Sequence, residues 1–183
     1  MAHVEAIATR FGQFVIETTD LGLRAVYLPG GAMSLQWDPA GTGTSSPAGP
    51  AADRHALSAK RELLAYIEGE PIAFETPIDF SGRTRFQIDV LSTLKTVPFG
   101  ATLSYKELAG LSGYPNACRG VGSVMRLNRT PIAVPCHRVV AAGNKLGGWS
   151  GPTGWKEKLL EHEGTILGAG IDAPLLSSNH PCG

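Results

Sequence analysis

The sequence contains only three cysteines, Cys118, Cys136 and Cys182, and no Cys-x-x-Cys motif. An odd number of widely spaced cysteines argues against a disulfide framework and a structural zinc site, and it fits a reducing compartment. No cofactor-binding motif is present either. We therefore expect neither a bound metal nor a cofactor.

Long apolar runs are also missing. No stretch approaches the roughly 18–20 apolar residues of a membrane span, and the first residues lack the basic and apolar regions of a secretory signal. We therefore expect a cytoplasmic protein, or a nuclear one in a eukaryote, without a membrane partner.

Apolar residues make up 43% of the 183, which is enough to form a hydrophobic core and argues against global disorder.

The chain has no net charge, but its charges are unevenly distributed. Segment 105–158 carries eight basic and two acidic residues, an excess of six positive charges. Such a basic half suits a polyanion bound at one face, although a solvated basic surface explains the pattern equally well.

The N-terminal part has the pattern of a small, mostly antiparallel sheet with one helix. Apolar runs separated by turn residues predict strands over 4–28, and alternating residues predict another over 72–80. Between them, residues 38–47 form a loop rich in Gly, Pro, Ser and Thr.

A helix is predicted to begin with Asp53 as its capping residue and to run to about Glu68. Its apolar face would consist of Leu57, Leu64 and Ile67, and a glycine and a proline follow it. This helix would cover one face of the sheet.

After the N-terminal part the sequence becomes mostly helical. A helix is predicted over 86–94, with Phe86, Val90, Leu91 and Leu94 along one side. A proline, a phenylalanine and a glycine at 98–100 would follow its end.

Two short helices joined by a turn come next. Ser104 and Glu107 have the spacing of a capping box, in which each side chain accepts a hydrogen bond from the other residue's backbone amide. The first helix would end near Gly113, residues 114–116 would form the turn, and the second helix would cover 117–127.

The second of these helices is amphipathic. Cys118, Val121 and Met125 share one side and are predicted to face inward. Three polar residues are predicted to face outward: Arg119, Ser123 and Arg126. This is the pattern of a recognition helix in a DNA-binding helix-turn-helix, although many helical hairpins bind nothing.

The organisation that follows is an α/β N-terminal domain over 1–81 and a mostly helical C-terminal domain over 82–168. The C-terminal domain contains the helix-turn-helix. Residues 169–183 form a tail.

Cys136 follows the apolar run 131–134 and is followed directly by His137. A nearby imidazole can accept the thiol proton, so we expect the pKa of Cys136 to lie below its ordinary value of about 8.5. Sequence neighbours do not face each other on a helix or a strand, so His137 would need a turn or a bridging water. The alternative is a buried structural cysteine beside a surface histidine. Cys118 is predicted to be an unreactive residue of the core, and Cys182, in the tail, to have no role in the function.

Several motifs over about residues 86–164 resemble the O6-alkylguanine-DNA alkyltransferases, also called methylated-DNA–protein-cysteine methyltransferases. The motifs, in chain order, are Phe86-Gln87, Pro98-Phe99-Gly100, Ser104-Tyr105-Lys106-Glu107-Leu108-Ala109, Arg119-Gly120-Val121-Gly122, Asn128, Pro135-Cys136-His137-Arg138-Val139, Gly147-Gly148 and Leu159-Leu160-Glu161-His162-Glu163-Gly164. The resemblance implies irreversible transfer of an alkyl group from O6-alkylguanine in DNA to Cys136, with O4-alkylthymine as a second candidate substrate. It also implies a monomer that binds double-stranded DNA by the minor groove with the damaged base flipped out.

The resemblance further implies which residues carry the reaction. Cys136 would accept the alkyl group, His137 would act on it through a water molecule, and Glu163 would orient His137 and balance its charge. Asn128 would hold the loop of Cys136 in place. Tyr105 would help to donate a proton to the leaving guanine.

Residues that contact DNA and the substrate are implied in the same way. Arg119 would fill the space of the flipped nucleotide, Tyr105 would crowd the adjacent phosphate, and Ser123 and Arg126 would be further DNA contacts. Ser150 would lie on a loop that closes over the base. The expected pocket residues are Met125, Val139, Trp149 and Ser150.

Three positions depart from the family pattern. Arg129 stands where Pro is usual, Trp149 where Tyr is common, and Leu91 where Trp is frequent. We expect Arg129 to alter the loop behind Cys136, and Trp149 to change the size of the alkyl group that the pocket admits.

Two other functions stay open at this point. A DNA-binding protein could recognise alkylated guanine without repairing it, but such members lack the acceptor cysteine. A cysteine hydrolase could use Cys136 and His137, but it would need an oxyanion hole and has no use for a helix-turn-helix or a basic half.

Overall fold

A computed structural model describes residues 2–31 and 49–164. The predicted loop over 38–47, the tail over 169–183 and Cys182 lie outside the described residues. Within the described residues, no helix is both long enough and apolar enough to cross a membrane.

Three antiparallel strands form the N-terminal sheet in the order in which they occur, as predicted: β1 (His3–Thr9), β2 (Gly12–Thr19) and β3 (Gly22–Tyr27). Gly22 begins β3 with a φ of +140°, and a Cβ atom there would lie 2.2 Å from the carbonyl oxygen of Pro77. Only glycine allows the two backbones to approach this closely.

The predicted strand over 72–80 is wrong. In the described chain this segment runs beside β3 and forms one isolated bridge, between Leu23 and Ile78. Leu23 N donates to Pro77 O at 2.7 Å, and Asp79 N donates to Leu23 O at 2.9 Å. Pro77 itself has no N–H to donate, so the segment cannot extend these two hydrogen bonds into a regular ladder.

Helix α1 (Pro50–Ile67) starts before the predicted position. Pro50 lies in its first turn, where the missing N–H would have no partner within the helix. Asp53 N already donates to Gly49 O, so the prediction that Asp53 caps the helix is wrong.

The apolar face of α1 also differs from the prediction. Leu57 is 71% exposed, whereas Leu64 is partly buried and Ile67 is fully buried. The buried apolar residues are Ala52, Ala56, Ala59, Leu63, Tyr66 and Ile67. Alanines on this face let α1 lie close to the sheet, and Tyr66 fills the space near its C-terminal end.

The C-terminal part is mostly helical, as predicted. Its elements are α2 (Arg85–Lys95), β4 (Leu103–Ser104), α3 (Tyr105–Leu111), α4 (Cys118–Arg126), β5 (Val139–Val140) and α5 (Trp155–His162). The predicted capping box is confirmed, because Ser104 Oγ accepts from Glu107 N at 3.2 Å and Glu107 Oε2 accepts from Ser104 N at 2.6 Å. A second capping box, between Thr84 and Gln87, starts α2.

A short parallel pairing brings α3 to the segment that contains Cys136. Leu103 pairs with Val139 and Ser104 pairs with Val140. Tyr105 follows β4 directly and Cys136 closely precedes β5, so this pairing holds both residues in one region.

Within residues 2–31 and 49–164, two apolar clusters form the core. The first joins the sheet and α1 to four residues of the C-terminal part: Ile132, Ala133, Trp155 and Leu159. The second lies among α2, α3 and α4 and includes Cys136 and Val139. The segment before Cys136 therefore packs against the N-terminal sheet and helix, while Cys136 belongs to the helical core.

Candidate active site around Cys136

Cys136 begins a short 3-10 turn, Cys136–Arg138, directly after the apolar run. Ile132 in that run is buried and has a φ of +73°, a left-handed conformation that costs about 1–2 kcal/mol. Cys136 is 8% exposed and His137 is fully buried, at 0%. The alternative of a surface histidine is therefore excluded.

Asn128 closes the loop that leads to Cys136. Its Nδ2 donates to Val134 O at 2.8 Å, and its Oδ1 accepts from the backbone N–H and the hydroxyl of Thr130, each at 3.1 Å. A residue that holds the Cys136 loop in place would make such contacts. Next to it, Arg129 O accepts from Val26 N of β3 at 2.8 Å.

Glu163, at the end of α5, is the centre of a buried hydrogen-bond network. His137 Nε2 lies 2.7 Å from its Oε1, and Arg138 donates to both carboxylate oxygens at 2.9 Å. Tyr66 Oη donates to Oε1 at 2.7 Å, and Gly100 N donates to Oε2 at 3.0 Å. These contacts join α1, the turn of Cys136 and α5 at one carboxylate.

The environment determines the protonation of this network. Burial would raise the pKa of Glu163, but hydrogen bonds from His137 and Arg138, together with the charge of Arg138, hold it well below its usual range. Burial lowers the pKa of His137 against the opposing effect of Glu163. At neutral pH we therefore assign an ionised Glu163, a cationic Arg138 and a neutral His137.

The hydrogen bond to Glu163 also selects the tautomer of His137. An ionised carboxylate only accepts, so His137 carries its proton on Nε2 and its lone pair on Nδ1. Nδ1 is buried and has no hydrogen-bond partner among the described residues. His137 thus presents a proton acceptor on the ring nitrogen that points away from Glu163.

The thiol pKa differs from the expectation. Burial raises the pKa of Cys136, although a hydrogen bond from Asn128, the nearby charge of Lys156 and backbone N–H groups oppose the effect. The prediction of a lowered pKa is therefore wrong for the free protein. Burial, followed by the nearby Cys136, also raises the pKa of Tyr105, which keeps this half-buried phenol protonated at neutral pH.

A cavity of about 540 Å³ opens beside Cys136. Of the four expected pocket residues, Trp149 and Ser150 line it. Met125 and Val139 do not line it but lie with Cys136 in the second apolar cluster, 7% and 0% exposed. One wall comes from the N-terminal sheet, at 26–28, and another from Arg129. The contribution of the sheet was not predicted from the sequence.

The three polar residues of α4 are arranged as predicted relative to its buried face. Arg119 and Arg126 are exposed and Ser123 is half-buried, while Val121 and Met125 are buried. Cys118, predicted to be core, is only partly buried. Arg126 Nη2 donates to Ser123 Oγ at 3.1 Å, and in the described part of the chain neither arginine forms an ion pair.

Three residues of the site were not assigned a role from the sequence. Arg138 stands in the same motif as Cys136, so its position gave a signal. The sequence signal for Tyr66 was weak and consisted of its helical spacing with the buried Leu63. Lys156 is fully buried, at 0% exposed, although a lysine on a helix is ordinarily expected in solvent.

Among residues 2–31 and 49–164, no group of three His, Cys, Asp or Glu side chains is arranged to hold a metal ion.

Comparison with known proteins identifies the family. The model of the 6-O-methylguanine DNA methyltransferase DNA binding domain matches residues 85–165. A methylated-DNA–protein-cysteine methyltransferase of Methanosarcina acetivorans is 42% identical over 107 residues, or 58% of this chain and 68% of the relative. The chain belongs to the methylated-DNA–protein-cysteine methyltransferase family.

Solved structures of this methyltransferase family extend the similarity to the N-terminal part. The crystal structure of Mycobacterium tuberculosis OGT in complex with DNA has a TM-score of 0.69 and 32% identity, covering 88% of this chain and 92% of that one. The crystal structure of the M. tuberculosis O6-methylguanine methyltransferase has a TM-score of 0.68 and 34% identity, covering 89% of this chain and 93% of that one. The predicted fold class is thus confirmed as a small antiparallel sheet with helices.

Sequence similarity covers less of some methyltransferase relatives. The human methylated-DNA–protein-cysteine methyltransferase is 52% identical over 75 residues, which are 41% of this chain and 36% of the relative. For the Mycobacterium bovis relative, at 44% identity over 102 residues, the match spans 61% of its length.

Proposed function

We propose that this protein repairs DNA by transferring an alkyl group irreversibly from O6 of guanine, or from O4 of thymine, to Cys136. The observation that carries the proposal is the buried turn of Cys136 and His137 beside a cavity, with Glu163 holding His137 as a neutral base. Names of relatives across the family support the same reaction.

The reaction is a displacement at a saturated carbon. The bond between Cys136 Sγ and the alkyl carbon forms as the bond from that carbon to O6 breaks. The thiol proton leaves toward His137 Nδ1, directly or through a water molecule, and the leaving guanine gains a proton, so the step balances without a co-reactant. The product is a thioether, which has no carbonyl for water to attack, so the protein would act once.

The surrounding residues receive roles in this proposal. Glu163 orients His137, and Asn128 holds the loop of Cys136. Tyr105, which remains a protonated phenol, donates toward the leaving guanine. Met125 and Val139 support the pocket from the core side. Trp149 and Ser150 line the cavity that the flipped base would enter.

The proposed DNA-binding element is the helix-turn-helix formed by α3 and α4. Arg119 would fill the space of the flipped nucleotide, and Arg126 with Ser123 would contact the backbone in the minor groove. Among the described residues neither arginine forms an ion pair, which supports this role, because guanidinium groups without a carboxylate partner suit phosphates. A relative crystallised in complex with DNA also supports it.

The remaining features of the proposal follow from this partner. We propose an α/β domain over 1–81 and an alkyltransferase domain over 82–168, acting as a monomer on double-stranded DNA. The protein would work where the genome is, in the cytoplasm or, in a eukaryote, the nucleus.

The test is a titration with excess DNA that contains O6-methylguanine, followed by peptide mass analysis. We expect one methyl group per protein molecule, located on Cys136, and no transfer to Cys136→Ala. Cys118→Ala is the matched control, because this second thiol is only partly buried, and its removal should leave transfer unchanged.

Each alternative predicts a different result. A lesion-binding protein would retain affinity but gain no mass, and a hydrolase would turn over without a permanent adduct. More than one methyl group per protein molecule, or an adduct on Cys118, would contradict the proposal.

A further inference from the structure

Lys156 lies on α5 with its whole side chain inside the protein, at 0% exposed. Its ammonium donates to Val139 O at 2.7 Å and to Gly148 O at 3.2 Å. Among the described residues no carboxylate forms an ion pair with it. A buried cation without an acidic partner is costly, so its retention calls for a reason.

The two carbonyl groups belong to different segments of the site. Val139 follows the turn of Cys136 and begins β5, and Gly148 directly precedes Trp149 and Ser150 of the cavity. Lys156 therefore joins the segment that carries the sulfur to the loop that lines the cavity.

The charge of Lys156 also acts on the sulfur. The titratable groups that face the ammonium are Cys136 and His137 within the site and Glu157 on its own helix. Burial lowers the pKa of Lys156 to about 8, and Cys136 and Glu157 oppose that effect. A cation close to a thiol favours the thiolate.

Resting on the transferase function proposed above, we propose that Lys156 is a positioning residue for the reaction. It holds the Gly148 loop against β5 and balances the negative charge that develops on Cys136 as the thiol proton leaves. The sulfur then attacks the alkyl carbon as the bond from that carbon to O6 breaks. The leaving guanine gains a proton.

The experiment measures alkyl transfer from free O6-benzylguanine between pH 6 and 10, which removes DNA binding from the result. We expect Lys156→Met to slow transfer by about tenfold below pH 8, equivalent to about one pKa unit of thiolate stabilisation. The difference in transfer rate between the wild type and Lys156→Met should shrink above pH 8, where the wild-type lysine loses its charge. Lys95→Met is the matched control, because Lys95 also donates to a backbone carbonyl, Thr76 O at 3.2 Å, and neither residue lines the cavity beside Cys136.

A second variant separates charge from folding. Lys156→Arg keeps a cation at every pH in the range, so its advantage over Lys156→Met should persist above pH 8. A change of slope near pH 8 in the plot of transfer rate against pH that remains in Lys156→Arg overturns the proposal. So does a rate ratio between the wild type and a folded Lys156→Met that is the same at every pH. Failure of the wild type to transfer any alkyl group would instead reject the proposed function.

Discussion

Tyr66 Oη donates a 2.7 Å hydrogen bond to Oε1 of Glu163, across 97 residues of sequence. Tyr66 belongs to α1 in the N-terminal part, whereas Glu163 ends α5 and holds His137. Burial, and then the charge of Glu163, raises the pKa of Tyr66 far above its usual value, so the phenol stays a donor. The N-terminal helix thus contributes directly to the network behind Cys136.

Removing that hydroxyl should destabilise the protein. Tyr66→Phe is expected to lower the free energy of unfolding by about 1.5–3 kcal/mol, the usual loss for a hydrogen bond to a charged group. Urea denaturation measures this change in the free energy of unfolding. The control Tyr27→Phe removes a 3.3 Å hydrogen bond to the half-buried Glu17, and its free energy of unfolding should fall by less than about 1 kcal/mol. Equal losses in the two variants would argue against a special role for Tyr66.

Glu163→Gln should expose the dependence of stability on the ionised carboxylate. Breaking its pair with the buried Arg138 is expected to cost about 3–5 kcal/mol at pH 7. The folded pKa of Glu163 lies below its ordinary value of 4.5, so this stability is complete above that pH and is lost as the pH falls further. Urea denaturation at pH 7 and at pH 3 should show the gap between wild type and variant narrowing in acid. Glu157→Gln, exposed on the same helix, should show no such gap.

Arg119→Ala should separate base flipping from chemistry. Extruding a base costs a few kcal/mol, so losing the residue that fills its space should slow repair of duplex DNA by about tenfold or more. Reaction with free O6-benzylguanine should be nearly unchanged. Single-turnover rates on the two substrates measure the difference, with the exposed Arg54→Ala of α1 as control. Equal slowing on both substrates would rule out a role in flipping.

Arg126→Ala tests the phosphate-binding face. Affinity for undamaged duplex DNA should fall as salt rises, and the variant should lower the slope of log K against log salt by about one. Fluorescence anisotropy over a salt series measures both quantities. Arg61→Ala, exposed on α1, should leave the slope as it is. A wild-type affinity that does not respond to salt would contradict a DNA-binding face built on arginine.

Local patterns were enough to predict much of this protein. The three strands, helix α2 and the capping box of Ser104 and Glu107 depend on residues close in sequence, so their signals are contained within short windows. The same is true of the adjacent Cys136 and His137, whose type and order indicated a nucleophile and its base. Where the local signal was ambiguous, as with the alternating residues over 72–80, Pro77 prevented a regular ladder.

Contacts between distant segments decided the rest. Leu57 has helical spacing with the partly buried Leu64, yet it faces solvent because the sheet covers another side of α1. Cys136 has a raised rather than a lowered thiol pKa, because the depth of burial, which spacing does not encode, outweighs its favourable neighbours. Lys156 and Tyr66 join the site only after folding, since a buried charge or phenol is tolerated only where remote chain segments supply its hydrogen-bond partners.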